Sequence, residues 1–431
     1  MRISQQDSLH IGPQDAIGPM TSGRGKLLEI EDWIFTERRL RFYGRGVVLA
    51  IALSLTWRTF KHQWAIMPDG SMRCSDFGWM WLSGKLAAAG ELARIFDYAA
   101  FSAAQLGFYG PENCLHFNRF YYPPTFLFFT YPLGLMPYLL ACAIWIVATL
   151  VLYEAAIYAI IPRRTALISA LTPFFVAVNI DFAHTGFLTA ALIGLSLAFM
   201  ERRPWVSGVF LGLLTYKPHF GLLFPIALLA SRNWRSLAAA TTATVILGVT
   251  AALAFGYDGW ASFIDALTDR SSSLGPGAEV ELRLHSIFGL LHWIGASAWI
   301  AWSGQLAVAA AAALGLCVLW ASAIPYNLKA AALCLGSLIV SPYALFYDLC
   351  IFSIAVAFLV KEGLSRGFLP GERPAILICW GALFLVKTPI GPIVCIVLLY
   401  LCVRRIRAYR KDRPTVFGDA FIGFVAPGNS G

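Results

Sequence analysis

Long apolar runs separated by short polar segments make up most of the chain after residue 43. A helix needs about 20 apolar residues to cross a bilayer, and shorter helices do so only when tilted or surrounded by protein. The runs predict membrane helices at about 44–60, 138–161, 165–180, 186–200, 205–216, 219–231, 236–255, 298–320, 328–342, 346–360, 374–388 and 390–403. The pattern predicts an all-α polytopic membrane protein with about 10–13 transmembrane helices, several of them broken and buried among neighbours.

A short apolar segment bounded by prolines, residues 124–137, does not fit this alternation. If it crossed the membrane, Arg163 and Arg164 would follow on the outer side, against the usual excess of Arg and Lys in cytoplasmic loops. We therefore expect the segment to be re-entrant or to lie at the outer interface.

The first outer loop contains one amphipathic pattern, between Gly90 and Gly107. At 100° per residue, one side of this segment is apolar and the other is polar. The apolar side consists of Leu92, Ile95, Phe96, Ala99, Ala103 and Leu106, and the polar side of Glu91, Arg94, Asp97, Tyr98, Ser102 and Gln105. The pattern predicts a helix of about four turns lying flat on the outer membrane surface.

Composition supports a membrane protein and excludes other classes. Apolar residues make up 58% of the 431 positions and charged residues only 13%, with a mean hydropathy of +0.67. Soluble globular chains have about 25% charged residues, so these apolar residues cannot all be buried in water-soluble domains. An aromatic content of 14% also excludes a disordered chain.

The net charge of +9 indicates membrane topology rather than a nucleic-acid site. Arg and Lys occur in short clusters between apolar runs, as in cytoplasmic loops, and no long basic run interleaved with aromatic residues is present. The clusters are Arg38, Arg39, Arg41 and Arg45; Arg163 and Arg164; Arg202 and Arg203; Arg232 and Arg235; Lys361, Arg366 and Arg373; and Arg404, Arg405, Arg407, Arg410, Lys411 and Arg413.

These clusters define the predicted layout of the chain. Cytoplasmic tails at 1–43 and 406–431 flank a membrane domain at 44–405, which has outer segments at 61–122 and 256–294. Because residues 1–43 lack the apolar core of a cleavable signal, we expect the first helix to be a retained signal-anchor.

The nine cysteines show no metal-binding spacing. Seven fall in or beside predicted helices, where Cys behaves as a small apolar residue. Cys74 and Cys114 fall in the first outer loop, where an oxidising periplasm would allow them to form a disulfide.

Charged residues within or beside membrane helices are costly unless they are paired or functional. The predicted topology places all but one of the candidates on the outer side or at outer helix ends, and Glu154 within a span. The candidates are Asp76, Glu154, Asp181, His184, Lys217, His219, Arg283, His285, Asp348 and Lys387. We therefore expect a site at the outer surface.

Two of these positions allow two interpretations each. Asp76 precedes a helical stretch, so it is either a helix N-cap or a general base at the lipid–water boundary. Pro218 interrupts two apolar stretches and places Lys217 and His219 in a short turn, which would suit a phosphate. The alternative for Lys217 is a lysine that extends from a loop to the interface.

Other motifs are weaker or missing. Arg283 and His285 precede an apolar segment, and Asp348 follows a second turn broken by Pro342. The sequence contains no Walker loop, no HExxH and no GxSxG with triad partners, which argues against ATP-driven work and soluble-type hydrolysis.

A succession of short motifs, in the right order over residues 44–405, resembles glycosyltransferase family 87, whose members are bacterial membrane mannosyltransferases of the GT-C superfamily. The motifs are Asp76-Phe77-Gly78-Trp79-Met80-Trp81, Gly84-Lys85-Leu86, Phe96-Asp97-Tyr98, Tyr122-Pro123-Pro124, Tyr131-Pro132-Leu133, Gly186-Phe187-Leu188-Thr189-Ala190, Thr215-Tyr216-Lys217-Pro218-His219, and Ser341-Pro342-Tyr343 with Asp348. One departure is Ala183-His184, where members often have Gly-Gln.

The resemblance implies a GT-C-type helical bundle that transfers a hexose, usually mannose, from a polyprenyl-phosphate carrier to a lipid or glycan acceptor in the periplasm. It favours Asp76 as the base, with inversion at the anomeric carbon. A leaving phosphate needs cations, and no metal or other cofactor is expected. The resulting assignments are Asp76 for catalysis; Lys217, His219, Arg283 and His285 for the donor phosphate; and Tyr122, His184, Tyr343 and Asp348 for substrate binding.

Two alternatives remain open. A transporter or flippase for a lipid-linked sugar would also have polar residues beside broken helices, but usually near the bilayer midplane between repeated halves. A ligase that transfers a preassembled glycan differs in the size of its donor. The expected partners are the lipid-linked donor, the acceptor and membrane lipids, in the bacterial inner membrane.

Overall fold

The computed structural model describes residues 29–68, 70–111, 114, 120–268, 284–385 and 388–412. Within these ranges the chain is helical and forms no strand, apart from two isolated bridges that join Ile66 to Met72 and Leu284 to Leu345. The prediction of an all-α polytopic membrane protein is confirmed.

Most helices coincide with the apolar runs of the sequence. Residues 29–34 are helical, and the α-helices that follow are Glu37–Phe60, Asp76–Ala88, Leu92–Phe96, Tyr98–Tyr109, Leu127–Gly134, Tyr138–Ile160, Arg164–Ala170, Phe174–Phe182, Gly186–Phe199, Pro204–Leu213, Pro218–Gly221, Phe224–Ala230, Trp234–Phe255, Tyr257–Thr268, Ile287–Trp293, Ala298–Ala321, Tyr326–Val340, Cys350–Arg366, Glu372–Ala382 and Gly391–Asp412. Short 3₁₀ turns occur at Pro124–Phe126, Leu214–Tyr216 and Phe346–Leu349.

Among the described residues, three helices are long and apolar enough to cross a bilayer by themselves: Tyr138–Ile160, Trp234–Phe255 and Ala298–Ala321. The span predicted at 165–180 is instead two helices, Arg164–Ala170 and Phe174–Phe182, which meet at 66°. Several shorter apolar helices of 10–17 residues complete the bundle. In a membrane, the backbone polar groups at the ends of such short helices need hydrogen-bond partners from neighbouring helices. The sequence predicted this arrangement of broken helices buried among neighbours.

The amphipathic helix predicted at about 91–106 is also divided. Asp97 has an extended backbone (φ −79°, ψ 120°), and its carboxylate accepts a hydrogen bond from Ala100 N at 2.7 Å. The second helix therefore restarts with Phe101, Ala104, Gln105 and Tyr109 buried in the protein, while Ala99, Ala103 and Leu106 of the predicted apolar side are exposed. The prediction of one continuous helix was wrong because Asp97 caps a new helix.

Asp76–Ala88 is the best-buried helix within residues 61–122, and it packs directly on Leu127–Gly134. Gly84 makes this contact possible, because a Cβ there would overlap Thr130 O. Gly134 meets the backbone of Gly84 and Lys85 in the same way. With 8 residues, Leu127–Gly134 is about 12 Å long, too short to cross a bilayer, as predicted for this segment.

Cys74 and Cys114 form a disulfide, with their Cα atoms 5.2 Å apart. Cys74 lies two residues before the helix that starts at Asp76, and Cys114 precedes the segment that leads to Tyr122. The bond therefore joins the residues beside Asp76 to those that lead to Tyr122, two predicted site residues.

The core of the bundle is built around Gly186–Phe199, which is buried over most of its length. It packs against Tyr138–Ile160, Pro204–Leu213 and Cys350–Arg366. Tyr326–Val340 is similarly buried and also packs against Cys350–Arg366. Both central helices begin or end at non-helical turns, and these turns carry the candidate site.

Candidate active site

Five separate segments converge where helices begin or break. Asp76 starts its helix, Tyr122 precedes a 3₁₀ turn, His184 precedes Gly186–Phe199, Lys217 separates two short helices and Asp348 lies in the turn before Cys350–Arg366. Gly186 allows two of these segments to touch, because a Cβ there would overlap the carbonyl oxygen of Tyr347.

The closest charged contact is a buried ion pair between Lys217 and Asp348. Lys217 Nζ lies 2.7 Å from Asp348 Oδ1, although the residues are 131 positions apart. Asp348 Oδ2 accepts a second hydrogen bond from Leu345 N at 3.1 Å. The side chains are only 6% and 1% exposed, so both charges have lost most of their hydration.

Burial and pairing act in opposite directions on these two groups. Burial lowers the pKa of the Lys217 ammonium, while the Asp348 carboxylate beside it raises that pKa. Burial raises the pKa of Asp348, and the charge and hydrogen bond of Lys217 lower it. Burial is the larger effect on both groups, so the net result is a lowered pKa for Lys217 and a raised pKa for Asp348. The loss of either partner would leave an uncompensated buried charge.

Aromatic rings line one side of this pair. His184 is stacked on Tyr347 with ring centroids 3.5 Å apart, and Lys217 Nζ lies 4.8 Å from the centroid of the same tyrosine ring. Trp79 is stacked on Tyr122 at 5.8 Å and meets His184 edge-on at 6.0 Å. The rings form a continuous apolar wall beside the ammonium group.

Hydrogen bonds fix the orientation of two of the rings. Thr185 N donates to His184 Nδ1 at 2.8 Å, so this network assigns the proton of a neutral His184 to Nε2. The hydroxyl groups of Tyr122 and Thr185 are 3.4 Å apart. Thr185 thus holds His184 through its backbone and contacts Tyr122 through its side chain.

Asp76 lies at the edge of this cluster, in the first turn of its helix. Ser75 occupies the N-cap position, so the capping interpretation of Asp76 is wrong; the helix dipole still favours a carboxylate there. Trp79 Nε1 donates to Asp76 Oδ1 at 3.3 Å. After the larger effects of burial and Asp348, the charge of Asp76 also raises the pKa of Lys217, so the two groups share one electrostatic environment.

Comparison with known proteins gives a family. The sequence model of glycosyltransferase family 87 matches residues 120–342, slightly more than half of the chain. The chain belongs to glycosyltransferase family 87. It is therefore a membrane glycosyltransferase, with a sugar donor and an acceptor as substrates. Searches of curated proteins and of solved structures give no match.

The part matched to family 87 contains Tyr122, His184 and Lys217 but ends before Asp348 and begins after Asp76. In the structure, Asp348 and Asp76 nevertheless lie beside residues of the matched part. In particular, the ion pair joins Lys217 of the matched part to Asp348 outside it.

The remaining predicted site residues of this family 87 chain are more scattered. His219 is half-buried one turn from Lys217, with its ring 4.4 Å from that of Phe220. His285 is buried, donates its backbone N–H to Ala344 O at 2.7 Å and accepts from Gly391 N at 3.3 Å. Tyr343 is 39% exposed and contacts Trp302. Arg283 lies outside the described residues.

Asp181 was a further candidate, and the structure gives it two arginine partners. Its Oδ1 lies 2.6 Å from Arg58 and 3.5 Å from Arg73. The pair with Arg58 joins the end of Glu37–Phe60 to the segment that precedes His184. The charge of Asp181 is therefore explained by these ion pairs, which connect parts of the fold next to the site.

Sequence reasoning missed Trp79, Thr185 and Tyr347 as members of the cluster. Trp79 lies in the same motif as Asp76, and Tyr347 is adjacent to Asp348. Aromatic residues near membrane helix ends are commonly interfacial anchors, so their type alone did not mark them. No group of three or more potential His, Cys, Asp or Glu metal ligands occurs within the described ranges.

Proposed function

We propose that this protein is an inverting glycosyltransferase that moves a hexose, expected to be mannose, from a polyprenyl-phosphate carrier to a lipid or glycan acceptor. The site would face the periplasm, in the bacterial inner membrane. The observation that carries the proposal is the Lys217–Asp348 pair, buried beside an aromatic wall and close to a second carboxylate, Asp76.

In this mechanism Asp76 is the general base. It removes the proton from the acceptor hydroxyl while that oxygen attacks the anomeric carbon of the sugar. The new C–O bond forms as the bond between the anomeric carbon and the phosphate oxygen breaks, so the lipid phosphate leaves with the bonding electrons. Attack and departure occur on opposite faces, which inverts the configuration.

Lys217 would hold the phosphate of the donor. An ammonium group has three N–H donors, and Asp348 is the only hydrogen-bond acceptor of Lys217 Nζ among the described residues. The remaining donors are available to phosphate oxygens, and a fixed cation would stabilise the charge that develops on the leaving group. His219 is close enough in sequence to add a contact; the same role is proposed for His285 and Arg283.

Asp348 acts here through Lys217. Both of its oxygens already accept hydrogen bonds, one from the ammonium and one from the backbone of Leu345. It would keep Lys217 charged and correctly aimed, in addition to any contact with substrate. The rings of Tyr122 and Trp79, which stack on each other, would bound one side of the sugar site, and His184 Nε2 offers a donor to a sugar hydroxyl.

The test is a transfer assay with purified protein in detergent micelles. Labelled polyprenyl-phosphate-mannose and a membrane lipid extract are supplied, and labelled product is measured. We expect Asp76→Asn to reduce turnover by about 10²–10⁴-fold, the usual contribution of a general base. The matched control is Asp97→Asn, which removes a charge from the same segment while keeping a good N-cap residue.

Near-normal turnover by Asp76→Asn would refute the base assignment. Micelles have no compartments, so a transporter or flippase would give no labelled product with any donor. A ligase would accept carriers bearing an oligosaccharide and reject the monosaccharide carrier. A panel of donors in the same assay therefore separates the three classes.

A further inference from the structure

A basic groove lies at the N-terminal end of Glu37–Phe60. The C-terminal end of this helix carries Arg58, whose partner Asp181 lies beside the candidate active site. The cavity of the groove, about 910 Å³, is lined by Arg38, Arg39, Arg41 and Arg45 of that helix and by Arg164 of the neighbouring helix. The two helices approach closely at Gly44, where a Cβ would be 2.7 Å from Ile168 Cγ2. Along Glu37–Phe60, the groove arginines lie about 20–30 Å from Arg58, which pairs with Asp181.

Positive charge in the groove exceeds the negative charge that the fold supplies. Glu37 is 3.2 Å from both Arg41 and Arg163, so one carboxylate serves two guanidinium groups. Arg38, Arg45 and Arg164 are exposed and have no acidic partner among the described residues. None of the described residues that line the cavity is acidic. The groove is therefore complementary to an anion.

The surroundings of the groove are those of a membrane interface. Trp33, Phe42 and Tyr43 line it and are 65%, 72% and 61% exposed. Arg39 holds Trp33 in place, with its guanidinium carbon 3.5 Å from the ring centroid and NH1 donating to Trp33 O. Exposed aromatic residues of this kind are typical of the headgroup level of a bilayer.

Apolar surface continues from the groove along the same helix. Leu49 and Leu53 follow the arginines and are 59% and 61% exposed. An anion that bound in the groove with acyl chains attached would place those chains against these side chains. Inorganic phosphate would use the arginines but leave this apolar surface uncovered.

We propose that the groove is a binding site for an anionic glycerophospholipid, whose phosphate is held by Arg38, Arg45 and Arg164. The site is separate from the proposed donor site and independent of the reaction there. Basic pockets between helices at the cytoplasmic end of a membrane protein suit such headgroups. The bound lipid would add a second link between Glu37–Phe60 and Arg164–Ala170, whose ends are already joined by the Glu37–Arg163 pair.

Native mass spectrometry of the full chain in detergent tests this site. The protein is titrated with dioleoyl-phosphatidylglycerol or dioleoyl-phosphatidylcholine, and the dissociation constant of the first bound lipid is measured. The groove variant is Arg38→Gln/Arg45→Gln/Arg164→Gln, and the control is Arg202→Gln/Arg203→Gln/Arg407→Gln. Both remove three exposed cytoplasmic charges, but none of the control residues lines the cavity.

We expect wild type to prefer phosphatidylglycerol, the groove variant to bind it at least ~10-fold more weakly, and the control to stay within about 3-fold. Equal weakening in both variants, or no preference for phosphatidylglycerol, would overturn the proposal. A photoreactive phosphatidylglycerol crosslinked to the wild-type protein gives a second measurement that needs no variant. It should label peptides from residues 33–45 and 164–168; labelling spread evenly over other basic clusters would contradict the site.

Discussion

Two buried ion pairs lie at opposite ends of Cys350–Arg366, and they differ in how completely they are satisfied. Lys217–Asp348 precedes the helix, and Arg405–Glu372 follows it, about 25 Å away along 17 residues. Their side chains are similarly buried, at 6% and 1% exposure for the first pair and 6% and 2% for the second. Burial alone does not distinguish them.

The Arg405–Glu372 pair is closed by additional partners. Arg405 binds both oxygens of Glu372 through Nε and NH2 and also donates to Gly367 O at 3.2 Å. Leu369 N donates to Glu372 Oε2 at 3.0 Å. Nearby, Gly371 N donates to Glu31 Oε1 at 2.7 Å and Arg373 pairs with Asp32, which ties residues 29–34 to the same corner.

Lys217 has the opposite arrangement, since one acceptor serves an ammonium with three donors. A planar guanidinium that binds a carboxylate through two bonds fixes geometry, whereas an ammonium is a point charge that can accommodate a further ligand. The closed Arg405–Glu372 pair therefore joins parts of the fold, whereas the Lys217 ammonium keeps donors for the phosphate contact proposed above.

The largest effect that distinguishes the two pairs should come from Lys217→Met. Loss of the ammonium removes the proposed phosphate contact, so transfer should fall by about 10²–10³-fold. The assay with labelled donor measures this. Lys61→Met, an exposed lysine at the end of Glu37–Phe60, is the control and should keep its activity.

Lys217→Met also leaves Asp348 buried without its partner, which would destabilise the fold by about 3–5 kcal/mol. The double variant Lys217→Met/Asp348→Leu removes that charge and should recover thermal stability without recovering activity. If activity returned together with stability, Lys217 would be structural and the two pairs would be equivalent.

Arg405→Met should have the second-largest effect, on stability rather than chemistry. It breaks the closed pair and leaves Glu372 buried, at a cost of about 3–5 kcal/mol. Heat inactivation should be faster, while the turnover of the molecules that remain folded stays within about twofold of wild type. Arg407→Met, an exposed neighbour on the same helix, should change neither quantity.

A selective loss of turnover in folded Arg405→Met would contradict the contrast between the pairs. It would mean that the Arg405–Glu372 pair also affects the reaction, by positioning Asp348 through the helix Cys350–Arg366.

The smallest effect should come from Tyr122→Phe. The change keeps the ring that stacks on Trp79 and removes only the hydroxyl that faces Thr185. A hydrogen bond of this kind contributes about 0.5–1.5 kcal/mol, so turnover or KM should change by about 2–10-fold. Tyr122→Ala should cost more than Tyr122→Phe if the aromatic wall binds the sugar; equal losses would make the hydroxyl the important group.

The sequence predicted helices well because apolar runs record burial and lipid contact directly. Trp234–Phe255 and Ala298–Ala321 lie within one or two residues of their predicted bounds. The breaks at Asp97 and after Ala170 were not predicted. After Ala170 the apolar run continues through the break. At Asp97 the apolar residues keep a helical spacing, and only the direction in which they point shifts. Such breaks depend on what neighbouring helices offer to the backbone.

Part of the site was predictable in the same way. Lys217, His184 and Asp348 are polar residues at interruptions of apolar runs, so they were visible one by one. That Lys217 pairs with Asp348, 131 positions away, depends on how the helices pack and leaves no mark in the spacing. The stacking of His184 on Tyr347 was invisible for the same reason.

The contact between Gly84 and Gly134 has a consequence for how this family 87 chain can vary. At that point the two main chains are in direct contact, with no side chain between them. The helix that carries Asp76 and the segment after Tyr122 are therefore very closely packed. Substitutions can change the rings and charges of the candidate site, but a side chain at Gly84 or Gly134 would push the two segments apart. We therefore expect this spacing to stay constant while other positions change substrate preference.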